Sequence, residues 1–472
     1  MRKCDLITTG LALLLCLVAS PTSAVRDPHQ SLQGADYVVN STADTDNGTC
    51  DPPDCTLREA INAANDDEGP SNIAFNIPPS DDGYNFLTGV WTIYLESALP
   101  ALTEEGTGVM GSTQTGNQGD TNPYGPEIVV NGASKYDCFN LQSANNTIEG
   151  LAINQCIFGI QIVGSGAHHN NISGNYIGIN HEGTAAAANA QHGVTILNGH
   201  DNTIGGTTAQ ERNIISGNQF NGVVIMGSSA SGNKVIGNYI GTSADGTGAV
   251  SNIWRGIDIW HDAHHNTVGG PTSGERNVIS GNQTGVNISS AHHNEVMGNY
   301  IGTDVSSAHA VPNAVGVYIG EGAQGNLIRY TNTIAYNTAY GVRVDGPTTT
   351  GNTISGNSIH SNGGDGIALT GGANGNLSAP TIISHICVAG GASSGPDLQW
   401  EAFSDFDGEG RFFESTGGTY LGSFTFWPAD VLFRYPYVTL TVTDGSGNTS
   451  EFSGSVPSGC LFRYLPLGMK RY

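Results

Sequence analysis

Short pairs of aliphatic residues, separated by one residue and preceded by glycine, recur through the middle of the chain, as in Gly193-Val-Thr-Ile and Gly222-Val-Val-Ile. Alternate side chains of a β-strand point to opposite faces, so each Val and Ile is expected to face inward and the residue between them outward. The same region has no helical periodicity. Because one such strand is too short to bury its own apolar face, the pattern predicts coils that stack to build a continuous core.

The strands belong to a longer repeat that opens with Asn, has an aliphatic residue two places on and usually Gly two places after that. Eight openings occur, at Asn146, Asn170, Asn202, Asn233, Asn266, Asn294, Asn326 and Asn352. Their spacing lies in the range of about 20 to 50 residues that is typical of solenoids. We expect these side chains to form an inward ladder, in which stacked amides bond to the coils above and below. The pattern therefore predicts an all-β, stacked parallel solenoid.

The first residues of the chain differ from the repeats in composition. Residues 1–24 combine a basic start, an apolar run and small residues ending at Ala24, which predicts a secretory signal peptide and an extracellular location. No later stretch has the roughly 18 continuous apolar residues that a membrane span requires.

Six cysteines follow the predicted signal peptide, at Cys50, Cys55, Cys138, Cys156, Cys387 and Cys460. An even number of cysteines in an exported protein favours disulfides, although six cysteines allow many pairings. Cys50–Cys55 and Cys138–Cys156 are the short-range pairs that we expect.

The segment Cys50-Asp-Pro-Pro-Asp-Cys55-Thr-Leu-Arg-Glu-Ala resembles the CSLREA motif, with Thr56 in the place of Ser. That motif is common at the front of bacterial secreted right-handed parallel β-helix repeat proteins, and the repeats of this chain resemble theirs. The resemblance implies a right-handed parallel β-helix (solenoid) with an N-terminal helical cap. It does not imply one activity, because this fold hosts lyases, hydrolases, epimerases and non-catalytic surface proteins.

We divide the chain into a signal peptide (1–24), an N-terminal cap region (25–68), the parallel β-helix (69–380), a small immunoglobulin-like β-sandwich (381–456) and a C-terminal tail (457–472). The sandwich is predicted from alternating, aromatic-rich segments separated by turns, which resemble the immunoglobulin-like modules of exported bacterial proteins. One helix is predicted over 56–65, where Thr56 and Glu59 form a capping-box pattern. We expect this helix to cover the open end of the solenoid, whose unpaired strand edges would otherwise invite aggregation.

The net charge of −25, from 16 basic and 41 acidic residues, disfavours nucleic acid as a partner. It also counts against an anionic polysaccharide, unless Ca²⁺ or a local basic patch offsets the charge. Ca²⁺ is the one candidate cofactor, because acidic residues alternate at Asp44 and Asp46 and again at Asp405, Asp407 and Glu409. Neither segment has the EF-hand pattern.

Three His-His-Asn sequences, at 168–170, 264–266 and 292–294, precede repeat openings. His265 and His293 are expected to stack one coil apart. Such a pair suits either a metal ion or an ordinary polar turn, and we assign no residue as a metal ligand.

One column of outward residues changes character along the predicted solenoid. The outward position of each Gly-aliphatic strand gives Gln161, Thr195, Val224, Asp258, Asn287, Tyr318, Arg343 and Ala368. The column becomes polar and charged from its fourth position, where two tryptophans and a histidine crowd the same coil. We therefore expect a carbohydrate-binding face here, although an ordinary solvated face is the alternative. The candidate substrate-binding residues are Trp254, Asp258, Trp260, Asn287 and Asp345, and the candidate catalytic residues are His261, Tyr318 and Arg343.

Spacing limits the chemistry that this face can perform. Asp258 and Asp345 should lie three coils apart, about 14 Å, which is too far for the paired carboxyls of a glycosidase at about 5 to 9.5 Å. A β-eliminating lyase needs a group that neutralises a uronate carboxylate, a base and a proton donor. Arg343 and Asn287 could supply the first, His261 the second and Tyr318, which lies between Asn287 and Arg343, the third.

The sequence therefore predicts a secreted monomer that binds or acts on an extracellular polysaccharide or cell-surface glycan, and a uronate polysaccharide lyase is the enzymatic prediction. The alternative is a non-catalytic extracellular adhesion or surface-binding protein, in which the β-helix serves as a rigid spacer.

Overall fold

Three long sheets run side by side along the protein, and successive coils of the chain contribute strands to all three. The structure, a computed structural model, describes residues 36–379 apart from Pro53, together with 381–383, 388–390, 399–405, 412–414, 437–453 and 456–457. Neighbouring strands of the three sheets are parallel, except for the antiparallel pair that begins the second sheet. The predicted all-β parallel β-helix is confirmed.

Each sheet takes its strands in regular order along the chain. Sheet 1 contains β1 (Tyr37–Val39), β2 (Asn72–Phe75), β5 (Gly108–Met110), β8 (Thr147–Glu149), β11 (Asn171–Ser173), β14 (Thr203–Gly205), β17 (Lys234–Ile236), β20 (Thr267–Gly269), β23 (Glu295–Met297), β26 (Leu327–Arg329) and β29 (Thr353–Ile354). Sheet 2 contains β3 (Tyr84–Asn85), β4 (Val90–Tyr94), β6 (Ile128–Asn131), β9 (Leu151–Asn154), β12 (Tyr176–Ile177), β15 (Ile214–Ile215), β18 (Tyr239–Ile240), β21 (Val278–Ile279), β24 (Tyr300–Ile301), β27 (Thr333–Ala335) and β30 (Ser358–His360). Sheet 3 contains β7 (Phe139–Leu141), β10 (Ile160–Val163), β13 (Val194–Leu197), β16 (Val223–Met226), β19 (Arg255–Trp260), β22 (Thr284–Ser289), β25 (Val315–Gly320), β28 (Tyr340–Asp345) and β31 (Ile367–Thr370).

Helices are few and short. They are α1 (Leu57–Asp66), α2 (Thr113–Gln118) and one 3-10 turn (Ala373–Asn376) among the described residues. Within that same part of the chain, no helix has the length and apolar character that crossing a bilayer requires.

The core consists of aliphatic columns stacked inside the coils. In sheet 3, one column holds Ile162, Ile196, Ile225, Ile259, Ile288, Ile319 and Val344, all fully buried and each in register with the next. Alternation thus turns the aliphatic residues inward, as predicted. Each coil that stacks on another removes apolar surface from water, and this burial stabilises the fold by roughly 25 cal/mol for each Å² of apolar surface.

Three ladders of buried asparagines line the corners between the sheets. The ladder that precedes sheet 1 consists of Asn146, Asn170, Asn202, Asn233, Asn266, Asn294, Asn326, Asn352 and Asn374. The ladder that precedes sheet 2 consists of Asn175, Asn213, Asn238, Asn277, Asn299, Asn332 and Asn357. The ladder that precedes sheet 3 consists of Asn189, Asn218, Asn252, Asn282, Asn313, Asn337 and Asn362. The first ladder confirms the prediction, and the other two are additional.

Asn202 shows how an amide inside a ladder bonds to the coils on both sides of it. The Oδ1 atom of Asn202 accepts the backbone N–H and the side-chain N–H of Asn170, both at 2.9 Å. The Nδ2 atom of Asn202 donates to Asn233 Oδ1 at 3.0 Å and to the carbonyl of Ala167 at 3.1 Å. These bonds satisfy buried backbone groups at corners, where pairing between strands is interrupted.

Helix α1 closes the first end of the solenoid. The predicted capping box is present: Glu59 N donates to Thr56 Oγ1 at 3.2 Å, and Thr56 N donates to Glu59 Oε2 at 2.9 Å. The apolar side of α1 is buried in the core beside β1 and β2. Because β1 already pairs with β2, the first strand of the solenoid lies inside the segment that we assigned to the cap region.

A C-terminal antiparallel sheet covers the last coil. Its strands are β34 (Gln399–Asp405), β35 (Phe412–Glu414), β36 (Tyr437–Thr443) and β37 (Val456–Pro457), in the order β35-β34-β36-β37, and a separate pair contains β32 (Thr381–Ile383) and β33 (Val388–Gly390). Leu369 N donates to Glu451 Oε1 at 2.8 Å, and Thr353 Oγ1 donates to the Gly447 carbonyl at 2.9 Å. The immunoglobulin-like sandwich stays a prediction, because much of 381–456 lies outside the described residues, as do the signal peptide and the tail.

Two disulfides join the expected short-range pairs, Cys50–Cys55 and Cys138–Cys156. The first lies directly ahead of α1, and the second joins the start of β7 to the turn after β9. Cys387 and Cys460 lie outside the described residues.

We expect Asn170→Ala to lower the free energy of unfolding by about 1 to 3 kcal/mol, because the buried backbone N–H of Asn146 loses its acceptor. Asn171 is the matched control, since its side chain is half-buried, donates to Ser173 Oγ and lies outside the ladder. Asn171→Ala should cost less than about 0.5 kcal/mol. Urea unfolding followed by circular dichroism measures both variants, and equal losses would contradict the role of the ladder.

Glu401 should make the C-terminal end sensitive to pH. Burial raises the pKa of its carboxyl to about 7, and the hydrogen bond from Gly356 N, at 3.1 Å, lowers that pKa only in part. The folded protein thus binds this proton more tightly than the unfolded chain, in which the carboxyl has its ordinary pKa near 4.5. The stability that this group contributes is therefore fully present below about pH 4.5 and is lost as the pH rises through about 7.

The variant Glu401→Gln keeps an acceptor for Gly356 N but does not titrate. We expect its unfolding midpoint to fall less than that of the parent when the pH is raised from about 5 to about 8. Thermal unfolding at several pH values measures the difference between the two proteins. The same pH dependence in both would show that Glu401 does not carry the effect.

Candidate functional site

The predicted outward column lies along the outer surface of sheet 3. Strand register pairs its members in the order Asn140, Gln161, Thr195, Val224, Asp258, Asn287, Tyr318, Arg343 and Ala368. We call this set the outer column. Trp260 and Asp345 lie two residues further along β19 and β28, on the same surface. The expected site residues of the column therefore stand on four successive coils.

Asp258 lies beneath the surface of this face. Its side chain is almost fully buried, with the residue 3% exposed, and its carboxylate accepts hydrogen bonds from Arg255 Nη1 at 2.7 Å, Asn221 Nδ2 at 3.1 Å and Asn287 Nδ2 at 2.7 Å. Burial raises the pKa of Asp258, while the neighbouring Arg255 guanidinium opposes that rise. Asn287 is buried as well. Arg255 is half-buried and is the member of this network that reaches the surface. A ligand could therefore contact Asp258 and Asn287 directly only if the hydrogen bonds of the network were broken.

Tyr318, Arg343 and Asp345 form a second, more exposed cluster. The Tyr318 hydroxyl donates to Asp345 Oδ2 at 3.3 Å, and Arg343 Nη2 lies 3.5 Å from Asp345 Oδ1. Burial, followed by the nearby Asp345 charge, raises the pKa of Tyr318. A hydrogen bond from Thr370 Oγ1, at 2.5 Å, is the main cause that lowers the pKa of Asp345. At neutral pH the cluster is therefore an ion pair with a protonated phenol beside it.

Trp260 and His261 stand at the end of β19. Their rings stack with centroids 5.0 Å apart, and Trp260 is 37% exposed. His261 is two coils away from Tyr318 in the stacking direction and three residues further along the strand direction. Together these offsets place the two residues about 14 Å apart. The structure therefore does not bring the three candidate catalytic residues to one reacting bond.

A row of rings follows the opposite margin of the face, just ahead of the strands of sheet 3. It consists of Phe158, His192, Phe220 and Trp254, one per coil, with successive centroids 5.8, 6.0 and 5.4 Å apart. We call this set the aromatic ladder. Its rings are tilted or edge-to-face with respect to each other, the arrangement that aromatic quadrupoles favour. Trp254 is 47% exposed, and the other three residues are partly exposed.

Sequence reasoning found Trp254 but missed the other three members. The available signal is an aromatic or His residue one or two positions before the Gly that opens each sheet 3 strand, and this variable offset hides the column. Burial, together with the nearby Arg255 charge, lowers the pKa of His192 to about 4. His192 is therefore uncharged at neutral pH and continues the ladder as a neutral ring.

The histidine turns lie at another corner, between sheets 3 and 1. His265 and His293 stack as expected, with parallel rings and centroids 5.3 Å apart. The Nδ1 atoms of His264 and His265 lie 2.8 Å apart, within hydrogen-bond distance of each other. In the part of the chain that the structure describes, no three His, Cys, Asp or Glu residues are grouped so as to hold a metal ion.

The acidic pair considered for Ca²⁺ near the front of the chain is engaged with other protein groups. Asp44 forms a buried ion pair with Arg58 at 2.7 Å, and Asp46 accepts a hydrogen bond from Asn62 at 2.9 Å. The second candidate segment, around Asp407 and Glu409, lies outside the described residues.

A cleft of about 540 Å³ lies beside α2, away from sheet 3. Four carboxylates line it, and two of them are bound to a hydroxyl of the helix segment: Thr115 Oγ1 donates to Glu127 at 2.6 Å, and Ser112 Oγ donates to Glu149 at 2.5 Å. Burial raises the pKa of Glu127. These bonds give both carboxylates a role in fastening α2 to the coils.

No protein-family model and no curated protein matches this chain. Similar solved structures include the A-module of mannuronan C-5 epimerase AlgE6 from Azotobacter vinelandii, with 16% identity over 66% of this chain and 94% of that chain and a TM-score of 0.31. Pectate lyase Pel9A has 13% identity over 69% and 71%, with a TM-score of 0.32. PfbA, a surface adhesin of Streptococcus pneumoniae, has 12% identity over 64% and 77%, with a TM-score of 0.23. At these values, the comparisons assign neither a family nor an activity to this chain.

Proposed function

We propose that this protein binds an extracellular polysaccharide along the outer face of sheet 3, where the aromatic ladder and the outer column lie side by side. The aromatic ladder is the observation that carries the proposal. Its four rings stand on successive coils and remain partly open to solvent. Aligned aromatic side chains that remain partly exposed form a continuous apolar patch, and such patches commonly mark a ligand-binding surface.

The chemistry of a sugar fits both parts of this face. A sugar ring has C–H surfaces that pack on aromatic rings and hydroxyl edges that bond to polar side chains, and binding sites commonly combine the two kinds of group. Three steps of about 4.8 Å give the ladder a length of about 14 Å. That length suits an extended chain of sugars better than a single small molecule.

Location outside the cell is part of the proposal. Disulfides persist in oxidising compartments, and Cys50–Cys55 and Cys138–Cys156 are both paired. The predicted signal peptide supports the same location. The molecule would then work as the non-catalytic binding or adhesion protein that the sequence offered as its alternative.

A uronate lyase is the weaker candidate on the geometry of the face. The Tyr318–Arg343–Asp345 cluster favours it, because a phenol and a guanidinium lie on adjacent coils. However, Arg343 is already paired with Asp345, so its guanidinium is not free to neutralise a uronate carboxylate. His261, the expected base, lies about 14 Å from Tyr318.

We expect Trp254→Ala to weaken polysaccharide binding by about 5- to 30-fold, or about 1 to 2 kcal/mol, because the most exposed ring of the ladder is lost. Phe86→Ala is the control, since Phe86 is 80% exposed on the turn after β3, outside sheet 3. Affinity electrophoresis in gels that contain soluble polysaccharides measures both variants. Equal retardation of parent and Trp254→Ala would exclude the ladder as the site, and a parent that no polysaccharide retards would refute the proposed function.

Catalysis is tested by incubating the mature protein with alginate and polygalacturonate, with and without Ca²⁺, while the absorbance of unsaturated uronate products is followed. We expect no rise, because His261, the expected base, lies about 14 Å from Tyr318 and the Asp345 carboxylate is already engaged by Arg343 and Thr370. A rise that Tyr318→Phe and Arg343→Ala both abolish would establish a lyase and show that binding alone is not the function.

A further inference from the structure

We infer that the polysaccharide bound on this face is a neutral polymer and not a uronate polymer. This inference rests on the proposed function and names the substrate class of the same site. It depends on how the charges of the face are already paired within the protein.

Both cationic side chains of the face are already neutralised from within the protein. Among the nine strands of sheet 3, Arg255 and Arg343 are the only Lys or Arg residues. Arg255 Nη1 bonds to the buried Asp258 at 2.7 Å, and Arg343 Nη2 lies 3.5 Å from Asp345. A uronate carboxylate would have to displace one of these aspartates, and breaking the buried pair would leave Asp258 as an uncompensated charge.

Further acidic groups stand close to the same coils. Glu321 is exposed in the turn after β25, near enough to Asp258 and Tyr318 that its charge raises the pKa of both. Asp262 is exposed in the turn after β19. His192 is uncharged at neutral pH and adds no positive charge. A polymer with one carboxylate per sugar would therefore meet a surface with no surplus cation, and like charges that face each other oppose association.

The test compares neutral polymers (β-glucan and galactomannan) with uronate polymers (alginate and polygalacturonate), using the mature protein in affinity electrophoresis. Each gel is run at about 0.1 M and about 1 M salt, which shortens the Debye length from about 10 to about 3 Å. We expect a neutral polymer to retard the protein equally at both salt concentrations, and the uronates not to retard it at the lower one.

Two variants that each remove one negative charge test the role of the Arg343–Asp345 pair. Asp345→Asn releases Arg343 from its ion pair, and we expect it to gain at least about 5-fold in affinity for a uronate at low salt. Asp262→Asn removes the same charge from the turn after β19, where its described partner is His292 and not an arginine, so it should gain less. Circular dichroism checks that both variants fold. If either variant does not fold, the polymer class is judged from the binding of the parent protein alone.

The outcomes separate this inference from the function on which it rests. A parent that binds uronates more tightly than neutral polymers would overturn the neutral class and leave polysaccharide binding intact. Equal uronate affinities of Asp345→Asn and Asp262→Asn would overturn the role of the Arg343–Asp345 pair in excluding uronates. A parent that binds none of the four polymers would overturn the proposed function itself.

Discussion

The hydrogen bonds between corner asparagines are the constraint on which this structure depends. A strand inside a sheet satisfies its backbone through its neighbours, but at a corner the chain turns away from regular pairing while it is still buried. An Asn side chain carries the same donor and acceptor as a peptide group, so it can complete the bonding of the adjacent coil. Because each Asn except the last in its ladder bonds to the equivalent Asn of the next coil, as Asn170 does to Asn202, the ladders hold the coils that they join in register. The alignment of outward residues on sheet 3 follows from that register.

The part of this architecture that obeys short-range rules could be predicted from the sequence. Glycine followed by alternating aliphatic residues fixes which side chain of a strand points outward, so the neighbours Asn287, Tyr318 and Arg343 could be placed on adjacent coils. The capping box of α1 depends on residues three apart and was equally accessible. The second and third Asn ladders were harder to find, because their members follow turns of variable length.

The chemistry of the face could not be predicted to the same extent. Alternation predicts that Asp258 points outward, but not that Arg255 folds back over it and buries it. Arg255 is three residues away on the same strand, but the other two partners of Asp258, Asn221 and Asn287, lie 37 and 29 residues away in sequence on neighbouring coils, so no local pattern reveals the whole network. The aromatic ladder was missed for a related reason, since its members align only after the coils are stacked.

The most specific motif in the sequence serves the end of the solenoid. Thr56 and Glu59 cap α1, Leu57 enters the core, and Arg58 reaches back to the buried carboxylate of Asp44. These residues together join the helix to the segment before it and close the first strand edges. The resemblance to the CSLREA motif therefore concerns how the β-helix begins, which explains why it is informative about fold and silent about activity.

The coils also differ in length without any change at their corners. Asn146 and Asn170 are 24 residues apart and Asn233 and Asn266 are 33 apart, yet the corresponding ladder bonds are 2.8 and 3.0 Å long. The additional residues are accommodated in turns that project from the coil, such as the one closed by the bridge between Thr242 and Ala249. A turn can therefore gain or lose residues while the coils above and below it keep their positions. The outer surface of such a protein is open to mutation one coil at a time, so its ligand preference can diverge within a scaffold whose interior is held constant.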